Sequence, residues 1–227
     1  MTALFVTLAL LLAAAQPAGW QTKPPAQWDE NDAKQILAES PWVVDAKLYP
    51  IPPRSPSARR ESGDWDAGIG RGVGIAGTGL LGKEREKMAL ARAHALPDPG
   101  SVTIVWASAA PVRAAEVKLG ATDVPVWGDD YYAITLLDVP IKRKLHAGQL
   151  KGVAALRRSG GGKDIKPVRV EILEQSDGFA TVVYLFSRSA EISKRDSSIS
   201  FYAQIGEVVI SQPFYPQEMV VEGQLEL

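Results

Sequence analysis

The sequence predicts an α+β protein built mainly on an antiparallel β-sheet or sandwich, with a few short helices. It also predicts a signal peptide ahead of that fold and a Pro/Gly-rich loop interrupting it. Three observations carry this reading. Ile199, Phe201, Ala203 and Ile205 alternate with Ser198, Ser200, Tyr202 and Gln204, which is the period of a strand with one buried face. Helical periodicity is confined to short stretches, of which Ala33, Ile36 and Leu37 give the clearest stripe. Proline and glycine punctuate the apolar runs throughout, and they crowd between Pro50 and Gly82.

Taken in order, Thr2 to Ala15 is apolar and uncharged and closes on Ala13-Ala14-Ala15, so residues 1–15 read as a signal peptide despite an n-region without Lys or Arg. The run is shorter than the ~20 residues a spanning helix needs, so no stable transmembrane span is expected. The expected location is periplasmic or secreted. Residues 16–27, rich in Pro and Gln, read as an extended tether. Trp28 to Glu39 reads as a helix, with Asp29 as its cap and Asp32 in the first turn. Ser40-Pro41 stops it. Trp42, Val44, Ala46 and Leu48 then alternate as a strand. This unit, 28–49, is too small to fold alone and is expected to dock on the main domain.

Residues 50–82 read as a flexible insert, and 83–227 as the main β-rich domain. Within it, Lys83 to Leu96 favours a helix on propensity. Ser101 to Ala107 alternates as a strand, and Pro111 suits the first turn of a helix to Leu119. Tyr131 to Val139 is aromatic and β-branched, hence a strand. A strand, a helix and a strand in series suggest a crossover unit. Val168 to Leu173 and Phe179 to Phe186 read as strands joined by a turn at Ser176-Asp177-Gly178. Gly206-Glu207 reads as a two-residue hairpin turn into Val208 to Ser211. Met219 to Leu227 alternates as a last strand.

Composition excludes several chemistries. The chain has 227 residues, no cysteine, and only two histidines, His94 and His146. Disulfides, thiolate catalysis and cysteine-bound metals are therefore ruled out, and a histidine-based metal site would need both imidazoles to meet. The formal net charge of −1 gives no global attraction to nucleic acid. No cofactor is expected.

Several motifs match in part but fail on their mechanics. Gly72-Gly74-Gly77 and Gly77-Gly79-Gly82 match G-x-G-x-x-G, but no strand precedes them to aim backbone N–H groups at a pyrophosphate. Gly77 to Lys83 matches a phosphate-loop spacing, but Glu84 stands where Ser or Thr must ligate magnesium. Asp64, Asp66 and Gly68 begin a calcium-loop pattern, yet Ile75 stands where the bidentate Glu belongs. G-x-S-x-G, S-x-x-K and H-E-x-x-H are absent.

Two features remain. Asp129 and Asp130, between Trp127 and Tyr131-Tyr132, form the best acidic-aromatic cluster, the chemistry of a sugar-cleaving or sugar-binding site. Asp129 and Asp130 are the catalytic candidates and Trp127, Tyr131 and Tyr132 the ligand contacts. Adjacent strand residues point to opposite faces, however, which argues against one acid/base pair. Lys142 to Arg169 carries nine basic residues and one acid, whereas Val170 to Leu227 carries nine acids and three basic residues. The basic segment is a candidate surface for a polyanionic envelope component or for self-association, unless it is simply a solvated hairpin face around Ser159 to Gly162.

The Trp28 to Trp42 stretch, the glycine-rich insert, Ile104 to Arg113 and the closing Glu222-Gly-Gln-Leu-Glu-Leu227 resemble a group of exported bacterial proteins with no assigned activity. The resemblance implies an exported bacterial product and nothing about mechanism. The expected function is a non-enzymatic binding or envelope-associated β-rich module. The alternative is a cofactor-independent hydrolase working through carboxylates.

Overall fold

The computed structural model describes residues 18–51, 100–122, 127, 130–141, 144–159, 162–175 and 178–227. The expected signal peptide, nearly all of the Pro/Gly-rich loop and the helix expected from Lys83 to Leu96 lie outside these residues.

Where a tether is expected, residues 18–27 fold instead. Gly19–Thr22 and Pro25–Gln27 are 3₁₀ turns, and Trp20 is fully buried. The cause is a tryptophan cluster. Trp20 stacks edge-on against Trp28, with centroids 6.5 Å apart, and lies 5.4 Å from Trp42. Trp28 Nε1 donates to the carbonyls of Trp20 and Lys23, which closes the two turns into a knot. Composition alone reads this stretch as solvated, but three large rings that pack together outweigh its prolines.

Helix α1, Glu30–Ala38, begins as the sequence reading expects. Asp29 caps it, accepting from the N–H groups of Asn31 and Asp32, while the Asp32 carboxylate accepts from Asp29 N–H to complete a capping box. Asp32 is nearly buried and also accepts a 2.8 Å hydrogen bond from Lys23 Nζ. That bond, then the one from the Asp29 backbone, hold the Asp32 carboxyl below its ordinary value of 3.8. The same contact raises Lys23 above its ordinary 10.5. A depressed carboxyl stabilises the fold above its unfolded pKa, and that contribution is lost as pH falls through the folded value. The raised ammonium is lost at the alkaline end. Asp32→Asn is therefore expected to lower the urea midpoint near neutrality and to flatten its decline between about pH 5 and pH 2. Parallel curves for the variant and the parent would refute this.

The chain then enters two packed sheets. The first has strand order β1-β3-β4-β7-β6, formed by Val43–Lys47 (β1), Ser101–Trp106 (β3), Tyr131–Pro140 (β4), Pro167–Glu174 (β6) and Phe179–Ser187 (β7). The second runs β2-β9-β8-β5, formed by Tyr49–Pro50 (β2), Ala155–Arg158 (β5), Ile199–Ile205 (β8) and Val208–Phe214 (β9). Every pairing is antiparallel. The sandwich reading of the sequence is thus met. Pro50, assigned from sequence to the irregular insert, belongs to β2, an edge strand where a missing N–H is tolerated.

One core lies between the sheets. Phe201 packs 5.3 Å from Tyr184 and 6.4 Å from Phe186, and Trp106 lies 5.2 Å from Phe214. The alternation of β8 is complete, with Ile199, Phe201, Ala203 and Ile205 buried and the residues between them half-buried. Gly206, at φ +57°, takes the first place of the β8–β9 turn. Helix α2, Ala110–Lys118, carries Pro111 in its first turn and packs on α1 through buried Val112 and Ala115.

Two local expectations are corrected. β3, α2 and β4 are not a crossover: β3 and β4 are antiparallel neighbours, with Trp106 opposite Ile134. The closing strand is a hairpin, Val220–Val221 (β10) with Gln224–Leu225 (β11). Its turn residues Glu222 and Gly223 lie at φ +48° and +79°, as a type I′ turn requires. A two-residue turn leaves period-two alternation intact, so the pattern hides it. The hairpin expected around Ser159 to Gly162 is supported on either side of that stretch, where Leu156 and Ile165 bridge antiparallel. Lys142 to Arg169 also contains helix α3, Ala147–Gly152, and strand β5. A helix of six residues buries only Leu150 and leaves no stripe to read.

Candidate functional site

The pleat of β4 separates the aromatic cluster. Tyr131 is paired with Ser187 and Tyr132 with Phe186, so the two rings lie on opposite faces of the sheet. Tyr131 and Trp127 are half-buried over a small apolar cluster of Ala133, Val183 and Leu185 on the outer face. Tyr132 is buried on the inner side, 6.0 Å from Trp106. Asp130 is exposed in the turn before β4. Its carbonyl accepts from Arg188 N–H at 2.8 Å, and its carboxylate has no hydrogen-bond or ion-pair partner among the described residues. Asp129 lies outside the described residues. The structure therefore brings Trp127 to Tyr131 and sends Tyr132 elsewhere.

Tyr132 instead meets Arg188, which the sequence reading did not single out for a role. The Arg188 guanidinium lies 4.6 Å from the Tyr132 ring centroid. Its Nε donates to the carbonyl of Tyr131 at 3.1 Å, and another of its nitrogens donates to the backbone oxygen of Leu227. Tyr132 Oη accepts the N–H of Ile192 at 3.0 Å. Lys194 donates to the carbonyl of Gly223. These groups wall a cleft of about 360 Å³ between the 188–194 loop and the β10–β11 ribbon. Both cations are engaged by backbone oxygens, so the arrangement fastens the carboxy-terminal ribbon. Its hydrogen-bonded partners are 29 to 60 residues apart in the chain, which is why no local pattern announces them.

The basic segment forms a surface. β6 and β5 are edge strands of the two sheets, brought together where β5 bridges Ile165, two residues before β6, through Leu156, and α3 packs against β6 and β8. Seven Lys and Arg and one acid, Asp164, fall between Lys144 and Arg169. Arg158 is spoken for, bonded to Asp196 at 3.2 Å and to the carbonyl of Glu191. Arg169 pairs with Glu171 at 2.6 Å. Arg157 lies 3.7 Å over the Tyr202 ring. Lys144, Lys151, Lys163 and Lys166 are exposed and make no ion pair among the described residues.

On the opposite side, a groove of about 350 Å³ lies between β1 and β9. Its walls are Val43, Val44, Pro213 and Phe214, and Glu39 and Glu218 stand at its rim, both exposed. His146 is exposed just before α3, and His94 lies outside the described residues. Among the described residues, no three His, Asp or Glu side chains gather as a metal ion would need, and no helix is long and apolar enough to cross a membrane. Compared with protein-family models, curated proteins and solved structures, the chain matches none of them.

Proposed function

We propose that the chain is an exported, non-enzymatic binding module of the bacterial envelope, and that its working surface is the basic edge built from α3, β5 and β6. The observation that carries this reading is the set of exposed, unpaired lysines Lys144, Lys151, Lys163 and Lys166 on one edge of a chain whose net charge is −1. An edge of like charges without internal partners repels itself and is relieved by an anionic ligand. A flat, solvated row of ammonium groups suits a repeating anion, a phosphate- or sulfate-bearing polysaccharide, better than a small molecule in a pocket. Export rests on the apolar segment Thr2 to Ala15.

Heparin serves as the test polymer and neutral dextran as the control. The purified chain is expected to bind heparin in a salt-sensitive manner and to ignore dextran. Lys163→Glu with Lys166→Glu is expected to weaken heparin binding on the order of tenfold or more, since each cation near an anionic surface contributes about 1 kcal/mol. Binding that is indifferent to salt, or equal for both polymers, would sink the proposal.

A further inference from the structure

The two edges of the sandwich complement one another, and we infer that the chain assembles head to tail, with the basic edge of one copy seated in the β1/β9 groove of the next. The inference shares the basic edge with the binding reading above but does not depend on its polysaccharide.

Two independent features of the edge match two of the groove. The first is charge: Lys163 and Lys166 are exposed on the basic edge, and Glu39 and Glu218 are exposed at the rim of the groove. The second is an apolar key. β6 slips register between Pro167 and Arg169, leaving Val168 unpaired at a bulge and 44% exposed between those lysines and Arg169. The groove presents the half-buried Val44 and Pro213 as its apolar surface, with the polar Ser40 and Gln212 also lining it. A lone exposed valine is ordinary. One flanked by ammonium groups, in a chain with a partly apolar groove flanked by carboxylates, has a partner of matching chemistry in a second copy.

Topology fixes the geometry of such a contact. β6 and β5 lie at one side of the two sheets, whereas β1 and β9 meet at the other. A two-fold dimer through either edge would set like charges against each other. Only a heterologous contact brings lysine to glutamate, and such a contact leaves a free edge and a free groove at its ends. The same edge cannot hold a polyanion and a second copy together, so a polyanion would compete with assembly.

Sedimentation equilibrium of the purified chain tests this. At about 50 mM salt the weight-average mass is expected to rise with concentration past that of a dimer, and at about 500 mM salt the rise should vanish. Glu39→Lys with Glu218→Lys, and separately Lys163→Glu with Lys166→Glu, should each abolish the rise. Val168→Ser should weaken it on the order of tenfold. The reversed groove of one double variant and the reversed edge of the other are again opposite in charge, so a mixture of the two should regain the rise past the dimer that neither shows alone. Three results would overturn the inference: a parent that stays monomeric at millimolar concentration in low salt, a closed dimer unaffected by the reversals, or a mixture of the two double variants that assembles no further than either alone. Heparin separates the two proposals, because the Glu39→Lys, Glu218→Lys variant should lose assembly and keep heparin binding. Assembly behaving as described without heparin binding would leave this inference standing and remove the other.

Discussion

Trp42→Ala is expected to lower the stability of the fold by about 3–5 kcal/mol, among the largest effects of any single truncation in this chain. Trp42 is fully buried and joins three segments, two of them through its side chain. Its ring packs on Trp20 of the amino-terminal turns, its backbone oxygen accepts from Trp106 N–H to continue the ladder to β3, and its Nε1 donates to the carbonyl of Glu226 at 2.6 Å. Truncation leaves a cavity among aromatic rings and strips the Glu226 carbonyl of its donor. Trp42→Phe keeps a packed aromatic ring but loses the donor and part of the indole's volume, so it should cost about 1–3 kcal/mol. Chemical denaturation reads both. Equal losses for the two variants would mean that the ring's packing is unimportant, contrary to the geometry.

Phe201→Ala is expected to cost about 3–5 kcal/mol as well. Phe201 sits in the middle of β8 with no exposed surface, between Tyr184 and Phe186 of the facing sheet. Its neighbour Tyr202 supplies the control. Tyr202 is half-buried on the outer face, where its main partner is the guanidinium of Arg157. A cation–π contact at such a site contributes about 0.5–1 kcal/mol, so Tyr202→Ala should be several-fold milder. For a domain of this size each kcal/mol moves the melting temperature by about 2–4 °C. Adjacent residues should thus differ by roughly 10 °C. Similar shifts for the two would show that β8 does not separate an inner from an outer face.

The core also contains a group that costs stability. Among the described residues, neither the hydroxyl of buried Tyr184 nor the Trp106 indole N–H has a hydrogen-bond partner. Burial pushes the Tyr184 phenol well above its ordinary value. Both rings are held by their apolar bodies, against the expectation that buried polar tips are satisfied.

Strands with one clean buried face were legible before any coordinates, because the inner side of a sandwich leaves a period of two in the chain. β8 and β9 with their glycine turn, the β6–β7 pair and the capped α1 all follow from neighbours within ten residues. The candidate site was legible only in part. Trp127 and Tyr131 do share a face, but Tyr132 belongs to another cluster, because the pleat sends successive side chains apart. The run of basic residues was visible as a run. That it forms an edge, with some cations spent on Asp196 and Glu171 and others left free, depends on where β5, β6 and α3 meet.

What the sequence by itself determined was the set of short-range decisions: which stretches pleat, where α1 starts, where the chain reverses at Gly206, and which redox and metal chemistries the composition forbids. These are settled by propensity, capping and periodicity, forces that act within a few residues. What only the tertiary structure decided were the contacts between distant segments. Trp20 folds a proline-rich stretch because Trp28 and Trp42 are there to receive it. Arg188 becomes a fastening because Tyr132 and Leu227 arrive from either end of the domain. Val168 and the β1/β9 groove acquire their relation only when the two sheets place them on opposite sides. Burial and charge pairing act through space, and a linear pattern records them only when the partners are close along the chain.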